Sequence, residues 1–455
     1  MHEVNDDSIK LREEVFAYAR KRLEYDPAPL DGPQSQGWLK ENAGKTISES
    51  GIGGHKALEI FSEVLAPATI STDHPNYLSF IPSAPTEASK LFDLIVSASA
   101  IYGGSWMEGA GAVYAENEVL AWLASEAGLP KTAGGVFVQG GTLGNLSALV
   151  AARHSAAKKR TDAGIAQPTK WKFICSAEAH SSLKSAAAVM DVEIIKAKVD
   201  ESGHLRGDSV AAALSQAGDG VFAIVATAGT TNFGIVDKLD EIGSVANENK
   251  IWFHVDGAYG LAGILAPESR HLFAGVERAD SFIVDPHKWL FAPFDACALI
   301  YREPKLGHDA HTQHGEYLDT LTESGDWNPS DYAYNLTRRP RGLPLWFSLA
   351  THGVAAYREG VRKNISLARQ IADEINRRTD LELVREPELS VVVFTKQGWD
   401  LAKYDSWSAK LLARGEAFVV PSSHLGKPNA RFAIVNPRTE LNALIAILDS
   451  MNEES

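Results

Sequence analysis

Ser281-Phe282-Ile283-Val284-Asp285-Pro286-His287-Lys288-Trp289 opens as a short apolar run rich in β-branched and aromatic side chains and stops at a proline. Such a run reads as a buried strand, and Pro286, which has no amide hydrogen to give a neighbouring strand, ends it. His287 and Lys288 therefore stand just past a strand's carboxyl end, where open α/β sheets bind their ligands. A lysine is ordinarily a solvated surface charge. Beside the apolar Trp289 and Leu290, Lys288 is expected instead to lose hydration, which lowers an ammonium pKa toward useful nucleophilicity.

Working outward, Ile251-Trp252-Phe253-His254-Val255-Asp256-Gly257-Ala258-Tyr259 is a second apolar strand ending in an acid, 32 residues before the lysine. That interval leaves room for one crossover helix, so carboxylate and amine can flank the same planar ring. Pyridoxal 5'-phosphate (PLP) needs both: a lysine for its imine link and an anion that keeps its pyridine nitrogen protonated.

His254-Val255-Asp256-Gly257-Ala258-Tyr259 and Asp285-Pro286-His287-Lys288-Trp289 resemble the PLP-dependent group II amino-acid decarboxylases, the family of aromatic-L-amino-acid and glutamate decarboxylases. The resemblance extends through Pro267-Glu268-Ser269-Arg270-His271-Leu272-Phe273-Ala274-Gly275-Val276-Glu277 and, more loosely, from about residue 50 to about residue 440. It implies the type I fold shared with aminotransferases, PLP as cofactor, and decarboxylation of an L-amino acid. It also implies a homodimer with shared active sites.

Composition agrees with an enzyme of this kind. The 455 residues suffice for two or three domains, and 45 % hydrophobic with 22 % charged residues is ordinary for a globular protein. A net charge of −14 argues against nucleic acid or an anionic membrane as partner. No apolar run reaches membrane-spanning length, and the polar start Met1-His2-Glu3-Val4-Asn5-Asp6-Asp7 does not read as a signal peptide. Cys175 and Cys297, the two cysteines, make neither a disulfide framework nor a cysteine zinc site. The expectation is a cytoplasmic protein.

Seven candidate strands fill the middle third: Val136–Val138, Lys172–Cys175, Val192–Ala197, Phe222–Ala226, Trp252–Val255, Phe282–Val284 and Ala296–Tyr301. Helical patterns between most of them imply a mostly parallel α/β sheet covered on both faces. The short loop before the last strand predicts one antiparallel pairing at an edge. Residues 1–83 read as a helical segment with a Pro/Gly-rich interruption, too thin to bury much alone and expected to pack on a dimer partner. Residues 84–347 are expected to form the large PLP-binding domain. Residues 348–455, with strands near Ser390–Thr395 and Ala430–Val435 and a last helix from Glu440, read as a small α+β domain.

Gly140-Gly141-Thr142-Leu143-Gly144-Asn145 follows a strand and opens a helix, expected over Leu146–Arg153. In isolation that is only a tight turn; with Lys288 and Asp256 downstream it makes a phosphate cradle of free amides at a helix start. The resemblance implies this same role for Gly140, Gly141 and Thr142. It further implies that His180 stacks on the pyridine ring and orients the substrate carboxylate, that Thr227 touches the cofactor, that Ala258 lies under the ring, and that His287 binds phosphate. Tyr317, in the long polar segment 307–330, resembles a loop tyrosine that reaches the partner's site and delivers a proton. His308, His311 and His314 recur every three residues there, but no supporting carboxylate pattern makes them a metal site.

Phe80, Ile81, Pro82 and Ser83, with Tyr102 and Gly104, are the expected substrate pocket. Aromatic-amino-acid decarboxylases carry an aromatic before the pair that is Ser105-Trp106 here, whereas this chain has Gly104. The pocket is then either wider or filled by another group, which leaves aromatic, diamino and acidic substrates open; Thr337 does not decide among them. An oxidative aldehyde synthase on the same scaffold is disfavoured because Tyr317 and His180 are both kept. A catalytically silent PLP-binding protein is disfavoured by Tyr317.

Overall fold

The seven apolar runs of the middle third come together as one sheet in the computed structural model, which describes residues 2–313 and 325–453. They are β1 (Gly134–Val138), β2 (Lys172–Ser176), β3 (Glu193–Ala197), β4 (Val221–Thr227), β5 (Trp252–Asp256), β6 (Ser281–Val284) and β7 (Cys297–Tyr301). Their order is β1-β7-β6-β5-β4-β2-β3. The five neighbours from β6 to β3 pair parallel, in register sets such as Thr227↔Asp256 and Asp256↔Ile283. β5, β6 and β7 are buried at every position, as strands covered on both faces must be.

One expectation is corrected here. The antiparallel strand is β7, but it is not at an edge: it lies between β1 and β6 and runs antiparallel to both. The connection from β6 runs through the turn Pro286–Trp289, and β1, the first strand in sequence, closes over its other side. A second boundary moves as well. The helix expected from Leu146 begins at Gly141 and runs to Asp162, with Gly140 as an extended N-cap. Its buried Gly144, Ala148, Leu149, Ala151 and Ala152 face the sheet.

The chain divides into two compact units. One comprises residues 83–372 and 386–392 and holds the seven-stranded sheet. The other comprises residues 1–82, 373–385 and 393–455. It contains most of a four-stranded sheet, β10-β11-β9-β8, built from β8 (Leu381–Leu383), β9 (Val391–Lys396), β10 (Ser422–His424) and β11 (Lys427–Ala433). Its first helix, Asp6–Leu23, carries a capping box between Asn5 and Ser8 and has no buried residue.

Candidate active site

Strand ends set the site. Gly140 follows β1, His180 follows β2, Thr227 ends β4, Asp256 ends β5, and Asp285 follows β6. All five carboxyl ends open on one pocket of about 330 Å³. Its walls include Gly140, Gly141, Thr142, His180, Thr227, Asp256, Ala258, His287 and Lys288, so every residue expected to touch a cofactor is brought together.

Pro286 occupies the first position of a four-residue helical turn, Pro286–Trp289, that carries His287 and Lys288. Trp289 anchors the turn: it is fully buried, its indole donates to Asn364 Oδ1 at 2.9 Å, and its ring stacks on Tyr259 at 5.2 Å. Lys288 keeps 24 % side-chain exposure, toward the pocket, and its Nζ meets Asp285 Oδ2 at 2.9 Å. The expected lowering of its pKa is therefore overturned. Burial does push the ammonium down, but the Asp285 carboxylate, with Asp256 behind it, outweighs burial and holds the pKa above the ordinary value. His287 goes the other way: burial outweighs Asp285 and lowers its pKa. Its Nδ1 lies 2.7 Å from the Ala296 carbonyl oxygen.

Asp256 is 4 % exposed. Its Oδ2 accepts from Asn145 Nδ2 at 2.9 Å and its Oδ1 from the Ala258 amide at 3.2 Å. Thr227 is held through its backbone, its amide donating to Asp237 Oδ2 at 2.7 Å. His180 is tied at Nδ1, 2.9 Å from Ser182 Oγ and 3.2 Å from the Ser182 amide nitrogen.

These side chains can be matched against PLP. The helix Gly141–Asp162 starts at the pocket without a side-chain cap; the Leu143 and Gly144 amides bond the Gly140 carbonyl, so the Gly141 and Thr142 amides are the ones an anion would take. A Cβ on Gly141 would come within 3.2 Å of the Ala258 methyl and 3.3 Å of Asp285 Oδ2, so a side chain there would crowd the cradle. An amine, a buried carboxylate and an open phosphate seat on one pocket suit a phosphorylated pyridine aldehyde.

Asn145, Ser182 and Asp285 line the pocket too but were not singled out from sequence. Asp285 was within reach of that reading: it stands three residues before Lys288, the spacing at which acid and base meet on a helical turn. Phe80, Ile81, Pro82, Ser83, Tyr102 and Gly104 are not among the pocket's lining residues. Phe80 is 58 % exposed, and Ser83 donates to the Ala292 carbonyl at 3.1 Å. A Cβ on Gly104 would collide with the Tyr102 ring, whose hydroxyl donates to the Leu336 carbonyl; the space is filled by another group rather than widened. Tyr317 and His314 lie outside the described residues. His311 Nε2 sits 3.0 Å from the Ser147 carbonyl oxygen, and His308 is 3.9 Å from Asp331.

The family model for the pyridoxal-dependent decarboxylase conserved domain matches residues 49–397. An aromatic-L-amino-acid decarboxylase of Bacillus atrophaeus is 30 % identical over 428 residues, covering 90 % of this chain and 87 % of that protein. Tryptophan decarboxylase 2 of Oryza sativa subsp. japonica is 30 % identical over 451 residues, covering 94 % and 90 %. The crystal structure of Oryza sativa TDC with PLP and tryptamine superposes with a TM-score of 0.91 at 23 % identity, over 100 % of this chain and 99 % of that one, a likeness of fold.

Proposed function

We propose, because the chain belongs to the pyridoxal-dependent decarboxylase family, that the Lys288 pocket removes the α-carboxylate of an aromatic or related L-amino acid. The chain is a PLP-dependent carboxy-lyase; the substrate and the residue roles are the proposal. What carries it is the single pocket on which Lys288, Asp256, His180 and the Gly140–Thr142 turn converge.

When bound, PLP supplies an electron-poor ring into which the electron pair of the breaking Cα–carboxylate bond is delocalised. Lys288 is the residue that would hold the cofactor's aldehyde carbon. Lys288 Nζ donates to Asp285 Oδ2 at 2.9 Å, which orients the amine. Asp256, a buried anion held by Asn145 and the Ala258 amide, would keep a proton on the ring nitrogen. Gly140, Gly141 and Thr142, with His287, would hold the phosphate, and Thr227 and Ala258 would contact the ring. His180 would contact the ring and orient the substrate carboxylate. Tyr317 delivers the proton to Cα and excludes water.

Among the described lining residues no arginine is present and Lys288 is the one lysine, already engaged. An acidic side chain would find no cation there, which favours an aromatic substrate over glutamate. The names of the similar decarboxylases point the same way.

A homodimer is supported by apolar side chains left exposed on two helices: Val15 and Phe16 at 44 % and 56 %, and Leu91, Leu94 and Ile95 at 40–50 %. A cytoplasmic location is favoured by two free, buried cysteines. No helix among the described residues is long and apolar enough to cross a membrane.

The test is a panel of L-amino acids assayed for carbon dioxide and amine. Aromatic substrates should give the highest kcat/KM, with equal amine and carbon dioxide and little peroxide. Turnover of glutamate or 2,4-diaminobutyrate alone would overturn the substrate reading. Stoichiometric aldehyde and peroxide would make the enzyme an oxidative synthase.

A further inference from the structure

Beneath the pocket, buried polar side chains form one hydrogen-bonded chain whose direction is fixed at both ends. At the pocket end a carboxylate only accepts, so the atom of Asn145 2.9 Å from Asp256 Oδ2 is the amide nitrogen. Its Oδ1 then faces His254 Nε2 at 2.9 Å, which must donate. His254 is fully buried, and desolvation, only partly opposed by Asp256, pushes its pKa down to about 4, so the ring is neutral and carries its one proton on Nε2. Nδ1 is left as an acceptor for the Ser281 hydroxyl at 2.8 Å. At the far end Trp252 Nε1, which only donates, gives its proton to Ser281 Oγ at 2.8 Å. Every member has one role, and the two ends agree.

The chain forks at Asn145. The second hydrogen of its amide nitrogen goes to Ser182 Oγ at 2.9 Å. Ser182 Oγ lies 2.9 Å from His180 Nδ1, which also receives the Ser182 amide at 3.2 Å. A nitrogen that accepts a backbone N–H carries no proton, so the Ser182 hydroxyl donates to it and the proton of a neutral His180 sits on Nε2. Asn145, His254 and Ser281 are each 1 % exposed or less.

We propose that Asn145 is the positioning residue of this pocket: one amide nitrogen aims Asp256 and, by donating to Ser182 Oγ, leaves that hydroxyl to donate to His180 Nδ1. Its orientation is imposed by His254, Ser281 and Trp252, none of which lines the pocket. The opposite rotamer of the amide would set an oxygen against the Asp256 carboxylate. The inference rests on the reading that Asp256 faces the cofactor's ring nitrogen. The blander account, in which His254 only fills space in the sheet, predicts no dependence on that nitrogen.

The experiment titrates apoenzyme with PLP and with its analogue carrying C–H in place of the ring nitrogen, reading binding by absorbance and fluorescence. His254→Phe removes the donor that orients Asn145. It should weaken PLP about tenfold or more and the analogue by less than about threefold, the loss of one aligned hydrogen bond to a charge. His254→Gln, whose amide nitrogen reaches the place of Nε2, should restore most of the PLP affinity. Equal losses for the two ligands, or no loss for either, overturn the inference. Should His254→Phe not fold, Ser281→Ala, which deletes one hydroxyl, is read against the same pattern. Asp256→Ala is titrated alongside: if it discriminates between the ligands and the His254 variants do not, this inference alone falls. If Asp256→Ala does not discriminate, the ring-nitrogen reading falls and takes this one with it.

Discussion

Lys288 and Asp285 meet at 2.9 Å on the turn that Pro286 begins, and that contact sets the charge of the amine. Asp285 is 1 % exposed. A carboxylate placed like this stabilises the ammonium more than burial opposes it. Replacing it by an amide keeps the shape and removes the charge. Asp285→Asn should therefore move the pH profile for capture of PLP by the apoenzyme to lower pH, measured by stopped-flow absorbance from pH 6 to 10. An unmoved profile would mean that Asp285 does not govern Lys288. Lys288 and Asp256 were legible in the sequence because each stands at the end of an apolar run. The sign of the lysine's shift was not: burial is written in neighbours along the chain, whereas the winning Coulomb energy depends on where Asp285 Oδ2 points. Gly104 is a similar case, since only the fold shows that Tyr102 takes the space.

At the scale of elements, all seven strands were legible as apolar runs, most sharply β5, β6 and β7, which are buried at every position. The place of β7 does not follow. Its partner β1 is held by pairs such as Gly135↔Ile300 and Val138↔Cys297, which no local pattern encodes. Gly135 marks that closure: a Cβ there would collide with the Leu299 carbonyl. Gly135→Ala should cost about 1–3 kcal/mol or more, the usual penalty of overpacking, read from the denaturant midpoint. An unchanged midpoint would show that β1 and β7 approach less closely. The early helix start at Gly141 was hidden for a different reason. Glycines are poor helix formers, so Gly140-Gly141 reads as a turn, yet the helix opens at Gly141 without a side-chain cap.

For the whole molecule, stability and assembly are the testable quantities. His254 is neutral and buried when folded, with a pKa near 4 against an ordinary 6.5. A depressed folded pKa means the unfolded chain binds the proton more tightly. The contribution is thus present above pH 6.5 and is lost as pH falls toward 4. Relative to His254→Gln, which cannot titrate, wild type should lose roughly 3 kcal/mol across that window in urea unfolding. A constant difference between the two would contradict the buried neutral ring. The joining of residues 1–82 with 393–455 in one unit was not legible, since it depends on long-range contacts such as Leu78 N to Phe418 O at 3.0 Å. The homodimer reading makes its own prediction through Tyr317, which lies outside the described residues. Mixing inactive Lys288→Ala and Tyr317→Phe chains should restore some decarboxylation in hybrid dimers, and hybrids that stay inactive would place the tyrosine's action within its own subunit. The central claim, that Lys288 carries the cofactor on this pocket, is tested most directly by borohydride reduction of the holoenzyme followed by peptide mapping. The reduced pyridoxyl label should fall on the peptide containing Lys288 and be absent from Lys288→Ala; a label on any other lysine would contradict the account.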